Sequence, residues 1–405
     1  MKISCIVFLL LVTLAQPLCA EELAALSVQN DSSAKDDVSS IAKLADNLDD
    51  VVVPGAVPET GKNDSKNLGK VESLYGSAEI TIPLIKELAM YPEILRLKGI
   101  DISGPNRYFR RLPPFSMFQH AFGTYVLLKR FKVPEKEMIA GILQFVAHSA
   151  FAEFGSFVFD TPGRDIFALD TQADFIKRTR LGTLLAKYQL SAKDIFPLNP
   201  EFNAINKSAP DLSAQAIDEV LMMAYSYNLT TQESIKKILD DLRYEQGRWF
   251  FVTQESANKL GMMSLYFQEK LWGAPVTFAI NRWIGSAIKT AITNNMLTLN
   301  SFRVATDGAI LKKLLTLNDP LILTNIMKAK APNRYFTVAE KEPYGAVFKP
   351  KFQALDPYVK DGNAFKRLSA VDSDFKKEFD RVQQVFQEGI KLEFKDPNKA
   401  KVKFS

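Results

Sequence analysis

Two imidazoles, His120 and His148, are the side chains in this sequence best suited to proton transfer near neutral pH or to holding a metal ion. Both lie within residues 111–160. The two cysteines, Cys5 and Cys19, fall in residues 1–20, so the chain beyond has no thiol for a disulfide, a thiolate metal site or a cysteine nucleophile. Just upstream of His120, Arg107, Arg110 and Arg111 are interleaved with Tyr108 and Phe109. Such a basic run either grips an anionic ligand or forms a solvated loop.

The residues around the histidines read as two helices. In 116–131 the apolar residues Phe118, Phe122, Tyr125 and Val126 fall on one helical face. A short turn through Pro134 follows, with proline suited to an opening helical turn. Met138, Ile142, Phe145 and Val146 repeat the spacing, and Ile139, Leu143 and Ala147 fill the other side. A helix apolar nearly all round sits in the middle of a domain. If it continues that far, Gln144 and His148 share one of its faces.

Further helices are expected from Leu84, over 165–187 with Phe175, Leu184 and Leu185 buried, and over 373–386. Residues 191–208 are Pro- and Asn-rich and read as irregular. The apolar run 271–280 is bracketed by Glu269, Lys270 and Arg282, which marks a core helix and not a membrane span. No internal repeat or glycine-rich phosphate loop is present.

Residues 1–20 have one lysine, an apolar stretch, Pro17 and a small residue at Ala20, the layout of a signal peptide cleaved after Ala20. The implied address is a bacterial periplasm or the extracellular medium, because a large exported chain without disulfides suits that setting. Residues 21–75 are polar, acidic on balance and poor in aromatics, the composition of a flexible leader. The formal net charge of +5 is therefore carried by the remainder, which favours anionic partners or simply serves solubility. The expected layout is a leader to 75, a helical domain over 76–340 and a C-terminal extension with a basic tail over 341–405. No transmembrane helix is expected in the mature chain.

The central region resembles the HD-domain phosphohydrolases, in particular the deoxynucleoside-triphosphate triphosphohydrolase branch. The segment MFQHAFG at 117–123 is similar to that branch's first histidine motif, and GILQFVAHSAFAE at 141–153 to its second. Pro92, Glu93, Leu95, Arg96, Leu97 and Ile100 match the opening of the domain, 211–229 matches the helix with the last metal aspartate, and Thr306-Asp307-Gly308 resembles the start of a later family helix that ends near Leu317. The resemblance covers roughly 80–339 and implies an all-α HD-domain fold with additional C-terminal helices.

It also implies a departure at the site. His120 stands at the first metal histidine, but Gln144 and Phe145 replace the His-Asp pair that names the family, and Gln215 replaces the last metal aspartate. Ala216, Met222 and Met223 replace other charged positions, while Asp218 is retained. The family arginine three residues before the histidine is Met117, a role Arg110 or Arg111 could take over.

The reading that follows is a pseudo-phosphohydrolase, with no metal site and no cofactor, that binds an anionic small molecule or a protein partner. Its ligand-binding candidates are Arg110, Arg111, Gln144, Gln215 and Asp218. The alternative is an active phosphohydrolase with an atypical or absent metal, built on the candidate catalytic residues His120, His148 and Glu153. Relatives of this kind commonly assemble, so homo-oligomerisation is left open.

Overall fold

Ser116 starts the helix that carries His120. Its hydroxyl accepts the Gln119 N–H, and the Gln119 side-chain oxygen accepts the Ser116 N–H at 2.9 Å, a reciprocal cap that satisfies two otherwise orphaned donors. The helix, α1, runs Met117–Arg130 and is buried on almost every side from Met117 to Leu128. Lys132, in the left-handed region at φ 55°, turns the chain back into α2, Glu135–Leu143. Next in order are α3 (Ala214–Ser226), α4 (Gln254–Phe267), α5 (Pro275–Thr293), α6 (Asp307–Thr316), α7 (Pro320–Lys330) and α8 (Ser373–Glu388). Further helices lie between them. The computed structural model describes residues 69–152, 154–158, 167–339, 345–362 and 364–395.

α1 packs against both α2 and α3. Gly141 lets α2 close on Leu128 of α1, and Gly123 lets α1 close on Asp218 of α3; a methyl group at either position would overlap its neighbour. The core continues through α4 to Phe375, Phe379, Val382 and Phe386 of α8, so residues beyond 341 pack into the same core as the histidine helices.

The all-α expectation is overturned. Strand makes up 13% of the structure beside 56% helix, and the strands form three sheets, so the fold is mixed α/β. β1 (Lys70–Ser73) and β2 (Gly76–Glu79) make a hairpin across the boundary set at residue 75. β3 (Leu242–Glu245), β4 (Arg248–Phe251), β7 (Tyr358–Asp361) and β8 (Ala364–Arg367) form a sheet in that order, antiparallel except for β4–β7. β9 (Ile390–Phe394) lies between β5 (Phe336–Val338) and β6 (Ala346–Phe348), antiparallel to both.

These strands are only three to five residues long, too short for alternation to stand out from helical spacing. The β3–β4 turn has both central residues in the left-handed region, Gln246 at φ 52° and Gly247 at φ 74°, as a tight hairpin requires.

Three helices also differ from expectation. The core helix expected over 271–280 is broken at Gly273 and Ala274, between a π-helical turn, Gln268–Trp272, and α5. α2 stops at Leu143, and the chain turns through 144–147, so Gln144 and His148 do not share a helix face. The helix expected over 165–187 is two, Phe167–Arg178 and Leu181–Lys187. Gly182 at the break lets the second approach the Ile176 carbonyl. Among the described residues, no helix is long and apolar enough to cross a membrane.

Candidate functional site

His120 lies at the first turn of α1, 2% exposed, with its Nδ1 2.6 Å from Oδ2 of Asp218 on α3. Asp218 is fully buried, and its other oxygen, Oδ1, accepts the Tyr75 hydroxyl at 2.7 Å. Burial raises the Asp218 carboxyl, and the hydrogen bonds from His120 and Tyr75 oppose that rise. Burial likewise pushes the Tyr75 phenol well above its ordinary value, with the Asp218 charge adding to it. A carboxylate on Nδ1 fixes the ring's orientation and leaves Nε2 as the nitrogen that could accept a proton or ligate a metal. Sequence reasoning missed Tyr75, which stood at the end of the span read as leader.

The remaining ligand positions carry no metal donors of the expected kind. The Phe145 ring lies 4.6 Å from the His120 ring, centroid to centroid, and Phe115 meets that ring edge-on at 5.5 Å. Gln144 is buried and gives its Nε2 to the Gly141 carbonyl at 3.0 Å. Gln215 gives its Nε2 to the Ile205 carbonyl at 2.7 Å. His148 is buried, with Nδ1 3.0 Å from the Phe145 carbonyl.

The two arginines diverge. Arg110 donates to Thr277 Oγ1 at 2.8 Å, and burial lowers its pKa, whereas Arg111 is exposed. Glu153 lies outside the described residues. The structure therefore brings together His120, Asp218, Phe145 and Tyr75, while Gln144 and Gln215 are tied to backbone carbonyls.

A divalent cation needs several converging nitrogen or oxygen donors. Among the described residues, no group of three or more His, Cys, Asp or Glu side chains could hold a metal ion. A phenyl ring and two amides engaged with carbonyls do not complete a set around His120. The residues do not fit the metal that the family resemblance implies.

A second buried polar cluster secures the turn after α2. Arg96 donates to the carbonyls of Val146 and His148 at 2.9 and 2.8 Å and to that of Ala305 at 3.2 Å. Asp307, at the start of α6, accepts the N–H of Phe151 at 2.5 Å and of Asp101 at 2.9 Å. Phe151 and Ala152 are consecutive left-handed residues, φ 65° and 58°, a conformation that side-chain-bearing residues resist. The Asp307 contact offsets that strain. Burial pushes the Asp101 carboxyl up to about 6 and the Asp307 carboxyl up to about 8, the nearby Asp101 charge adding to the latter. Burial lowers Arg96 to about 10. Thr306-Asp307-Gly308 was legible as a helix start, but not that its carboxylate faces inward to another segment.

No family model matches the chain. It is 26% identical over 185 residues to the metal-dependent phosphohydrolase cns2 of Cordyceps militaris, a match covering 45% of this chain and 52%, about half, of that relative. It is 23% identical over 319 residues to the uncharacterized protein YdhJ of Bacillus subtilis, covering 78% of this chain and 96% of that one. Among solved structures, a phosphohydrolase from Bacteroides thetaiotaomicron superposes with a TM-score of 0.59 at 12% identity, over 80% of this chain and 98% of that one. A hypothetical protein from Aquifex aeolicus gives 0.57 at 14% identity, over 80% and 94%. These similarities support a fold of the HD-type phosphohydrolase superfamily.

Proposed function

We propose that this chain is an exported, triphosphohydrolase-like HD protein that has lost metal-dependent hydrolysis and acts by binding. The observation that carries this reading is the Phe145 ring packed on His120 inside a buried site. A ring at that position contributes apolar packing where a metal-assisted hydrolase needs a ligand and room for water. The retained His120–Asp218 pair then serves the core, as a satisfied buried polar pair joining α1 to α3. The N-terminal pattern of residues 1–20 supports export, and the positive charge of the remainder supports an anionic partner.

The test is hydrolysis of nucleotides and phosphodiesters by the purified mature protein with Mn, Ni, Fe or Mg. No turnover above that of a His120→Ala variant is expected. Turnover that the variant abolishes would overturn the reading. Recovery from the periplasmic or culture fraction of a chain beginning at Glu21 tests the export step; a chain retained in the cytoplasm with Met1 intact would refute it.

A second reading is favoured by one contact. A carboxylate-held imidazole is also the arrangement of a general base, so metal-free hydrolysis through His120 Nε2 is the alternative. It requires the Phe145 ring to move aside. The same assay in the presence of a chelator separates the two.

A further inference from the structure

The four-stranded sheet turns Leu242, Trp249, Phe251 and Val359 into the main core. Its alternate residues have a different chemistry. Arg243 stands opposite Phe250, Tyr358 stands opposite Arg367, and the pairing of Phe251 with Val359 sets Phe250 beside Tyr358. Four strands thus carry one row, Arg243–Phe250–Tyr358–Arg367, about 14 Å wide at ~4.8 Å per strand. Arg248 and Lys360 lie on the same face, one on each side of that row.

The aromatic rings form the floor of this face and the cations its outer layer. The Arg248 guanidinium lies over Tyr358 at 4.9 Å and over Phe365 at 5.2 Å, and Arg367 lies over Tyr358 at 3.9 Å. Phe250 is 1% exposed although outside the main core, and it packs on Phe365 at 4.7 Å. The charges do not cancel within the face. Arg367 is paired with Asp211, and Glu245 stands opposite Arg248 in the register. Arg243 donates to the carbonyls of Asp240 and Leu242. Among the described residues, Arg243, Arg248 and Lys360 have no carboxylate within ion-pair distance.

We propose that this face binds single-stranded nucleic acid, with its phosphates along Arg243, Arg248 and Lys360 and a base stacked on the outer plane of the Arg248 guanidinium. A guanidinium laid on a ring is held flat and presents planar donors outward, which suits phosphate. Unstacked bases pack on such planes, whereas a duplex keeps its bases hidden. A bilayer would need apolar side chains to insert, and here the rings lie beneath the charges. The inference is independent of whether the His120 site turns over, because no residue is shared.

The experiment is fluorescence anisotropy of a labelled oligothymidylate of about fifteen nucleotides with the full mature chain. Binding is expected, with affinity falling steadily as salt rises. The R248Q/K360Q double variant should bind at least about tenfold more weakly, with a shallower salt slope. Arg248→Lys should keep the slope yet bind more weakly, because it keeps the charge and loses the plane. Melting temperatures establish that the variants fold; should Arg248 changes lower them, the exposed Lys360→Glu variant alone decides. The proposal is overturned if the oligonucleotide fails to bind at low salt or binds folded variants equally well. Tighter binding to polyglutamate or to phosphatidylglycerol vesicles than to the oligonucleotide would overturn it too.

Discussion

Tyr75 and His120 bind different oxygens of one buried carboxylate, Asp218, so the β1–β2 hairpin and the histidine helix are joined through α3. Removing the carboxylate strands both partners. Asp218→Ala should lower stability by about 3–5 kcal/mol, the usual loss when one member of a buried pair is deleted. Tyr75→Phe should cost about 1–3 kcal/mol, since only one hydrogen bond is lost. Urea unfolding of the two variants checks the order; equal, small losses would mean that the three groups do not act as a unit.

Gly123 faces Asp218 across the α1–α3 contact with no room for a side chain. Gly123→Ala should therefore destabilise by about 1–3 kcal/mol despite alanine's better helix propensity. A neutral or stabilising result in the same unfolding experiment would show that the two helices can slide apart at no cost.

The ring of Phe145 shields the imidazole it covers. Phe145→Ala should lose about 3–5 kcal/mol through the cavity it leaves. It should also speed modification of His120 by diethyl pyrocarbonate, followed by mass spectrometry. An unchanged rate at His120 would mean that other groups, Phe115 first among them, do the covering.

Stability should depend on pH through Asp101 and Asp307, whose carboxyls are pushed from an ordinary 3.8 to about 6 and about 8. A folded-state pKa above the unfolded one means that the folded chain holds the proton more tightly. This contribution is fully present below about pH 4 and is lost as pH rises through about 6 and then about 8. Asp307→Asn should flatten the upper part of that decline. Unfolding free energies at about pH 5, 7 and 9 test it; a wild-type curve flat across this range would contradict the assignment.

The sheet closed by β9 gives a truncation test. Ending the chain at Gly389 removes the central strand and leaves β5 and β6 without a partner, so the melting temperature should fall sharply. Ending it at Lys395 keeps every pairing of that sheet, and the melting temperature should hold. Similar values for both truncations would show that the sheet adds nothing to stability.

Helical spacing made α1 and α8 readable, because each keeps an apolar stripe over ten residues or more, whereas α6 was placed by resemblance. The sheets were not readable for a physical reason. β9 pairs with strands some fifty residues upstream, and no local pattern encodes such a partner. Gln246-Gly247 lacks the Asn-Gly signature of a tight hairpin, and three consecutive buried residues in β4 hide its alternation. At the site, His120 and Asp218 were singled out by residue type and by resemblance. Their contact spans 98 residues, and only the close approach at Gly123 makes it. Arg110, named as a ligand-binding candidate, donates to Thr277 of α5, a contact that its sequence neighbours do not signal.

β9 also imposes a timetable on the polypeptide. Its neighbours are made well before it, so that layer waits unfinished on the ribosome until Phe394 has emerged. Until then β5 and β6 have no middle strand to pair with.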